Sequence, residues 1–172
     1  MLPKVYYKDA KDLLQAARTN PNSCAVGALL DKAEKHRTKD IHYALAMAEQ
    51  ANELMPEYPE TIYALGHCHD IIGDKDKATE YYIAALHAHP CHIASIVALT
   101  TIKEFTVDET YAIIHGINDI LAHDVSKMNT SKLYISLSRL YKRLKNVDSE
   151  FQYMDKANNL IFDKIERHTF YN

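Results

Sequence analysis

The chain carries ten histidines in 172 residues, and two clusters of them are the first candidates for chemistry. His67-Cys68-His69 and His87-Ala88-His89-Pro90-Cys91-His92 hold residue types that ligate metals. Side chains one or two apart on a helix point in different directions, so neither string makes a compact ligand set by itself. The second string spans a helix end, where histidine complements the local dipole and can bond free carbonyls. No metal is expected, and Cys68 and Cys91 read as small buried side chains. Signatures of catalysis are missing too. Gly27, Gly66, Gly73 and Gly116 form neither a phosphate loop nor a dinucleotide fingerprint, and neither H-E-x-x-H nor G-x-S-x-G occurs. The expectation is a chain that is not an enzyme and needs no cofactor. Arg139, Lys142, Arg143 and Lys145 form a basic cluster, the first three together on one helical face. A phosphate backbone would suit it, but the acidic middle of the chain repels nucleic acid.

The net charge of −3 hides a segregation. Residues 40–124 carry fourteen acidic side chains against three basic ones, Lys75, Lys77 and Lys103. Each flanking stretch has a surplus of four positive charges. An acidic middle between basic ends biases encounter with charged partners or with another copy of the chain. The composition, 47% apolar and 25% charged, is that of a soluble globular protein. No apolar run approaches the ~20 residues that span a bilayer. The start, MLPKVYYKDAKD, lacks the apolar core of a secretory signal. Three cysteines without a C-x-x-C pair disfavour a disulfide framework, so a reducing cytoplasm is expected.

These residues must be held by helices, because helical spacing runs from end to end. Residues 8–18 place Leu13, Leu14 and Ala17 on one face. Helices are expected over 23–37 (capped by Ser23), 41–54 (capped by Asp40), 61–72 and 77–89 (capped by Asp74 or Asp76). Pro56 and Pro59 break the second of these, and Gly73 and Pro90 end the third and fourth. Residues 92–105 and 108–123 form a further antiparallel pair, and 132–144, capped within 129–131, precedes a long last helix over 149–167. Phe151, Met154, Ala157, Ile161 and Ile165 are its apolar face. Sustained strand-like alternation is missing. The fold class is all-α.

Four positions recur thirty-four residues apart: Ala44, Ala48, Ala51 and Pro56 are answered by Ala78, Tyr82, Ala85 and Pro90. A period of that length marks a helical solenoid, whose units bury their apolar faces only by stacking. The order Ile62-x-x-Leu65-Gly66-x-x-His69, then Ala78-x-x-x-Tyr82, Ala85 and Pro90, resembles the tetratricopeptide repeat (TPR). Ile62 replaces the usual Trp and His69 the usual Tyr. Approximate repeats fall at 25–58, 59–92, 93–126 and 131–164, the last after a connection some four residues longer; 8–18 looks like the second helix of an incomplete first unit. The resemblance implies a TPR-like α-solenoid, a right-handed superhelix of antiparallel helix pairs, making one domain over residues 1–172.

Proteins similar to this one usually bind a peptide or protein segment on the surface lined by the first helix of each unit. Carried onto this sequence, that surface holds Leu29, His36, Tyr63, His67, Asp70, Val97, Thr101, Glu104, Ile135, Arg139 and Lys142. One variant of the family grips a C-terminal carboxylate with Lys, Asn and Arg; here the matching positions are Tyr63, Ala64, His67, Val97 and Ala98, so that clamp is missing. The expected function is a non-catalytic protein-interaction module, with an acidic-ended segment suited to Arg139 and Lys142. One alternative is a docking or regulatory part of an enzyme assembly, since the last unit looks somewhat like repeats that precede sulfotransferase domains. The other is a self-associating scaffold. Leu2, Val5, Tyr6 and Tyr7 at one end and Phe162, Phe170 and Tyr171 at the other are apolar where a solenoid wants a polar cap, and the segregated charges would support a homodimer.

Overall fold

The computed structural model describes residues 20–169, with side chains through 162. The expected helix over 8–18, the apolar end residues Leu2, Val5, Tyr6, Tyr7, Phe170 and Tyr171 and the Ile165 side chain lie outside this range, while Phe162 is exposed. Every regular element among the described residues is an α-helix. In order they are α1 (Ser23–His36), α2 (Ile41–Leu54), α3 (Pro59–Ile72), α4 (Lys75–Ala88), α5 (Ile93–Ile102), α6 (Val107–Leu121), α7 (Lys127–Arg143) and α8 (Val147–Thr169). None of them is long and apolar enough to cross a membrane. The fold is the all-α, TPR-like solenoid, with two compact units divided between Ile102 and Lys103.

In the first unit α1 packs on α2 and α3 on α4, α3 also lies against α2, and α5 lies against α4. The recurring small residues make this stacking. Ala44, Ala48, Ala51, Ala78, Tyr82 and Ala85 are all fully buried. Gly66 faces Tyr82 so closely that an added Cβ would lie 2.9 Å from its ring carbons. Local signals set the boundaries. Asp40 accepts from the Tyr43 amide at 3.0 Å and Asp74 from the Lys77 amide at 3.2 Å. Both caps sit at the repeat spacing. Gly73 takes the left-handed turn at φ 96°, and its N–H and that of Asp74 bond carbonyls of the last turn of α3.

Some boundaries differ from the expected ones. Asn22, not Ser23, stands before α1 and its side chain caps nothing there; instead its Nδ2 donates to the Leu54 carbonyl at 3.2 Å. Pro59 does not lie between helices but starts α3, because its missing N–H costs nothing in a first turn. The Thr61 hydroxyl, fully buried, donates back to the Tyr58 carbonyl at 2.7 Å.

In the second unit α7 pairs with α8 and α6 lies against α7. A capping box of Thr106 and Glu109 starts α6. Helix α7 begins at Lys127 with Ser126 as its cap, so the expected cap residue Ser131 is buried inside the helix. Lys145 turns the chain between α7 and α8 at φ 57°, seventy-two residues after Gly73. That is two repeat lengths plus the longer connection. The expected apolar face of α8 divides in two: Ala157 is buried, whereas Phe151, Met154 and Ile161 are exposed. The helix is rolled so that Tyr153 and Ala157 meet α7, with Tyr153 stacked on Tyr141 at 5.5 Å.

Candidate functional site

The first unit holds a cleft of about 250 Å³ between α1 and α3. Leu30, Ala33, Glu34 and Arg37 line it from α1, and Glu60, Tyr63, Ala64 and His67 from α3. Both sets recur at three- and four-residue steps, the spacing of one helix face. Cys68 also lines the cleft while joining Leu65 in the core. Polar and aromatic side chains thus stand over a floor shared with the core.

Arg37 follows the last turn of α1 and reaches across to His67. Its Nη1 donates to the imidazole, 2.7 Å from Nε2 and 3.0 Å from Nδ1, while Nη2 donates to Glu34 at 2.8 Å. An acceptor imidazole is a neutral one. Burial, then the neighbouring Arg37 charge, hold the His67 pKa below its ordinary value, which agrees with that geometry.

Tyr63 sits one turn earlier at the centre of a ring cluster. It lies 5.5 Å from His67, 5.5 Å from Tyr82 and 5.4 Å, edge-on, from His92. Burial raises its pKa, so the phenol stays protonated and able to donate. His92, whose Nδ1 is 2.8 Å from the Ser95 hydroxyl, is pushed down to about 4 by burial and by His89. The thiol of Cys68 is pushed up to about 11 by burial, which makes it inert.

Of the expected groove residues in this unit, Tyr63 and His67 line the cleft. Asp70 is one turn further along α3, held by Lys75. Leu29 packs instead beside Val26, Ala51 and Met55, and the His36 ring lies against Tyr43 of α2 at 4.7 Å. The cleft side of α1 is therefore carried by Leu30, Glu34 and Arg37, one residue along from the expected positions. The step 30-34-37 repeats that of 63-67-70, but at an offset of thirty-three residues rather than thirty-four, so the repeat spacing alone does not single these residues out. Val97 is half-buried and Thr101 exposed on α5.

In the second unit Ile135, Arg139 and Lys142 stand seventy-two residues after Tyr63, His67 and Asp70, and so occupy the corresponding face of α7. Lys142 is exposed and lies 3.8 Å from Glu150 of α8. Glu104 is exposed before α6. Next to it, Phe105 has Lys103 over its ring at 4.6 Å and Arg143 at 5.4 Å. The histidine strings spread apart. His67 turns to Arg37, His69 stacks on Tyr81 at 5.4 Å, and His92 faces Tyr63. Among the described residues no three metal-ligating side chains converge.

Residues 59–88 match the family model of the tetratricopeptide repeat. Two solved structures share the fold, titled "Crystal structure of MamA" and "Crystal structure of MamA protein". Each is 17% identical to this chain with a TM-score of 0.57; the first match covers 91% of this chain and 89% of the other, the second 92% and 88%. None of the curated proteins searched matches this sequence.

Proposed function

We propose that this protein is a non-catalytic interaction module that holds a peptide or protein segment against the first helices of its repeats. The observation that carries this reading is the cleft between α1 and α3. There Tyr63, His67 and Arg37 present ring, imidazole and guanidinium on the side of the repeat that is left over from packing. An aromatic ring with a broad contact area and a guanidinium are what anchor a segment, and charged neighbours fix its register. The nearby thiol is buried with a raised pKa, and the histidine is engaged by Arg37, so neither supports nucleophilic chemistry. The corresponding face of α7 carries Arg139 and Lys142, which suits a segment with an acidic end.

Affinity capture from the native lysate tests this reading, with wild type beside Tyr63→Ala and beside Arg37→Ala. Partners retained by the wild type should be lost or weakened in both variants. Partners that stay bound equally to both would rule the cleft out as the site.

A further inference from the structure

The charges that line the α1–α3 cleft are uneven. Asp31 and Glu34 from α1 and Glu60 from α3 bring three carboxylates to it, and among the described residues Arg37 is the only cation in the lining. Glu34 holds the Arg37 guanidinium at 2.8 Å, so that pair cancels and the lining keeps a negative balance. The surroundings carry the same sign. Residues 20–102 hold eleven acidic side chains against six basic ones, and the charges of Glu34 and Asp70 both reach Tyr63 and His67. A concave surface lined by negative charge concentrates cations and repels anions.

Size and lining narrow the occupant further. A volume of about 250 Å³ is below that of a pocket for a drug-sized molecule and suits one or two side chains of a segment that runs past. Arg37 shows what the cleft does with a cation, since its guanidinium bonds both a carboxylate and a neutral imidazole. Tyr63 adds an aromatic ring to the same lining, and a guanidinium or ammonium is drawn to the face of such a ring. An acidic side chain in the same place would meet three carboxylates. We propose that the cleft selects a basic segment and seats one of its arginine or lysine side chains against Tyr63, with Asp31 and Glu60 as counter-charges. This rests on the reading of the cleft as the site that holds a segment, and adds the chemistry of that segment. The acidic end suited to Arg139 and Lys142 is a separate contact, on the other unit.

A library of randomised dodecapeptides displayed on phage, panned on the full chain, is the probe. Peptides retained by wild type should be enriched at least about three-fold in arginine and lysine over aspartate and glutamate. Their affinity should fall about ten-fold in Asp31→Asn with Glu60→Gln. It should fall less than about two-fold in Glu53→Gln with Glu57→Gln, an equal charge change on exposed residues outside the cleft. Both double variants keep the shape of the side chains, and unchanged helical circular dichroism shows that each is folded. Retention of acidic or uncharged peptides, retention of none, or equal weakening by the two double variants overturns the proposal. Loss of native-lysate partners from Tyr63→Ala, alongside any of those results, would leave the cleft as the site and remove only the assignment of charge.

Discussion

Two glycines separate packing from propensity at the level of single residues. Gly27 lies in α1 with nothing within 4 Å of an added Cβ, whereas at Gly66 that Cβ would lie 2.9 Å from the buried Tyr82 ring. Alanine in an open helix interior gains about 0.5–1 kcal/mol over glycine, while forcing a methyl into a filled core costs about 1–3 kcal/mol. Gly27→Ala should therefore raise the urea midpoint and Gly66→Ala lower it, and equal shifts would mean that Tyr82 moves aside freely. The half-buried His92 makes a prediction in pH. Its folded pKa of about 4 lies below the ordinary 6.5, so the unfolded chain binds the extra proton. Its contribution is complete above that ordinary value and is lost as the pH falls toward the folded one. Between about pH 7 and pH 5 this amounts to about 2 kcal/mol. His67, lowered in the same direction, adds to the slope. His92→Gln should flatten stability across that window; urea midpoints that fall as steeply as in wild type would assign the slope elsewhere.

Turns and caps decide the elements, and here the repeat offers its own comparison. Gly73 and Lys145 hold the same left-handed turn, one with no side chain and one with a long one. A left-handed residue with a Cβ costs about 1–2 kcal/mol relative to glycine there. Lys145→Gly should therefore raise the thermal midpoint and Gly73→Ala lower it. If Lys145→Gly is neutral, the lysine side chain makes compensating contacts. Much of this was legible in advance. Asp40, Asp74, Gly73 and the paired alanines are local signals at a fixed period, and each lies where the sequence places it. What was not legible was rotation about a helix axis. Spacing says which residues share a face, but the face that is buried depends on neighbours distant in sequence. Hence the cleft takes Leu30, Glu34 and Arg37 rather than Leu29 and His36. For the same reason α8 buries Ala157 and half-buries Tyr153 yet exposes Phe151, though all of these apolar positions fit a helical pattern.

For the whole molecule the governing quantity is the uneven charge. Fourteen acids against three bases in residues 40–124, followed by nine bases against five acids in 125–172, make opposite fields along one chain. Exposed charges of this kind contribute little to stability but steer encounter and orient what binds. One face of α3 carries Tyr63, His67 and Asp70; the corresponding positions of α7 are Ile135, Arg139 and Lys142. The same helical positions thus change from neutral-acidic on α3 to basic on α7. A segment with an acidic end should place that end against Arg139 and Lys142. Reversing both charges, Arg139→Glu with Lys142→Glu, should then slow association and flatten its dependence on salt, because rim charges act chiefly on the on-rate. Arg139 is half-buried and Lys142 exposed, so far-ultraviolet circular dichroism on the double variant separates lost steering from lost structure. Stopped-flow association with a captured partner at two ionic strengths provides the measurement. An unchanged rate and salt slope in a folded double variant would place the charge recognition outside α7.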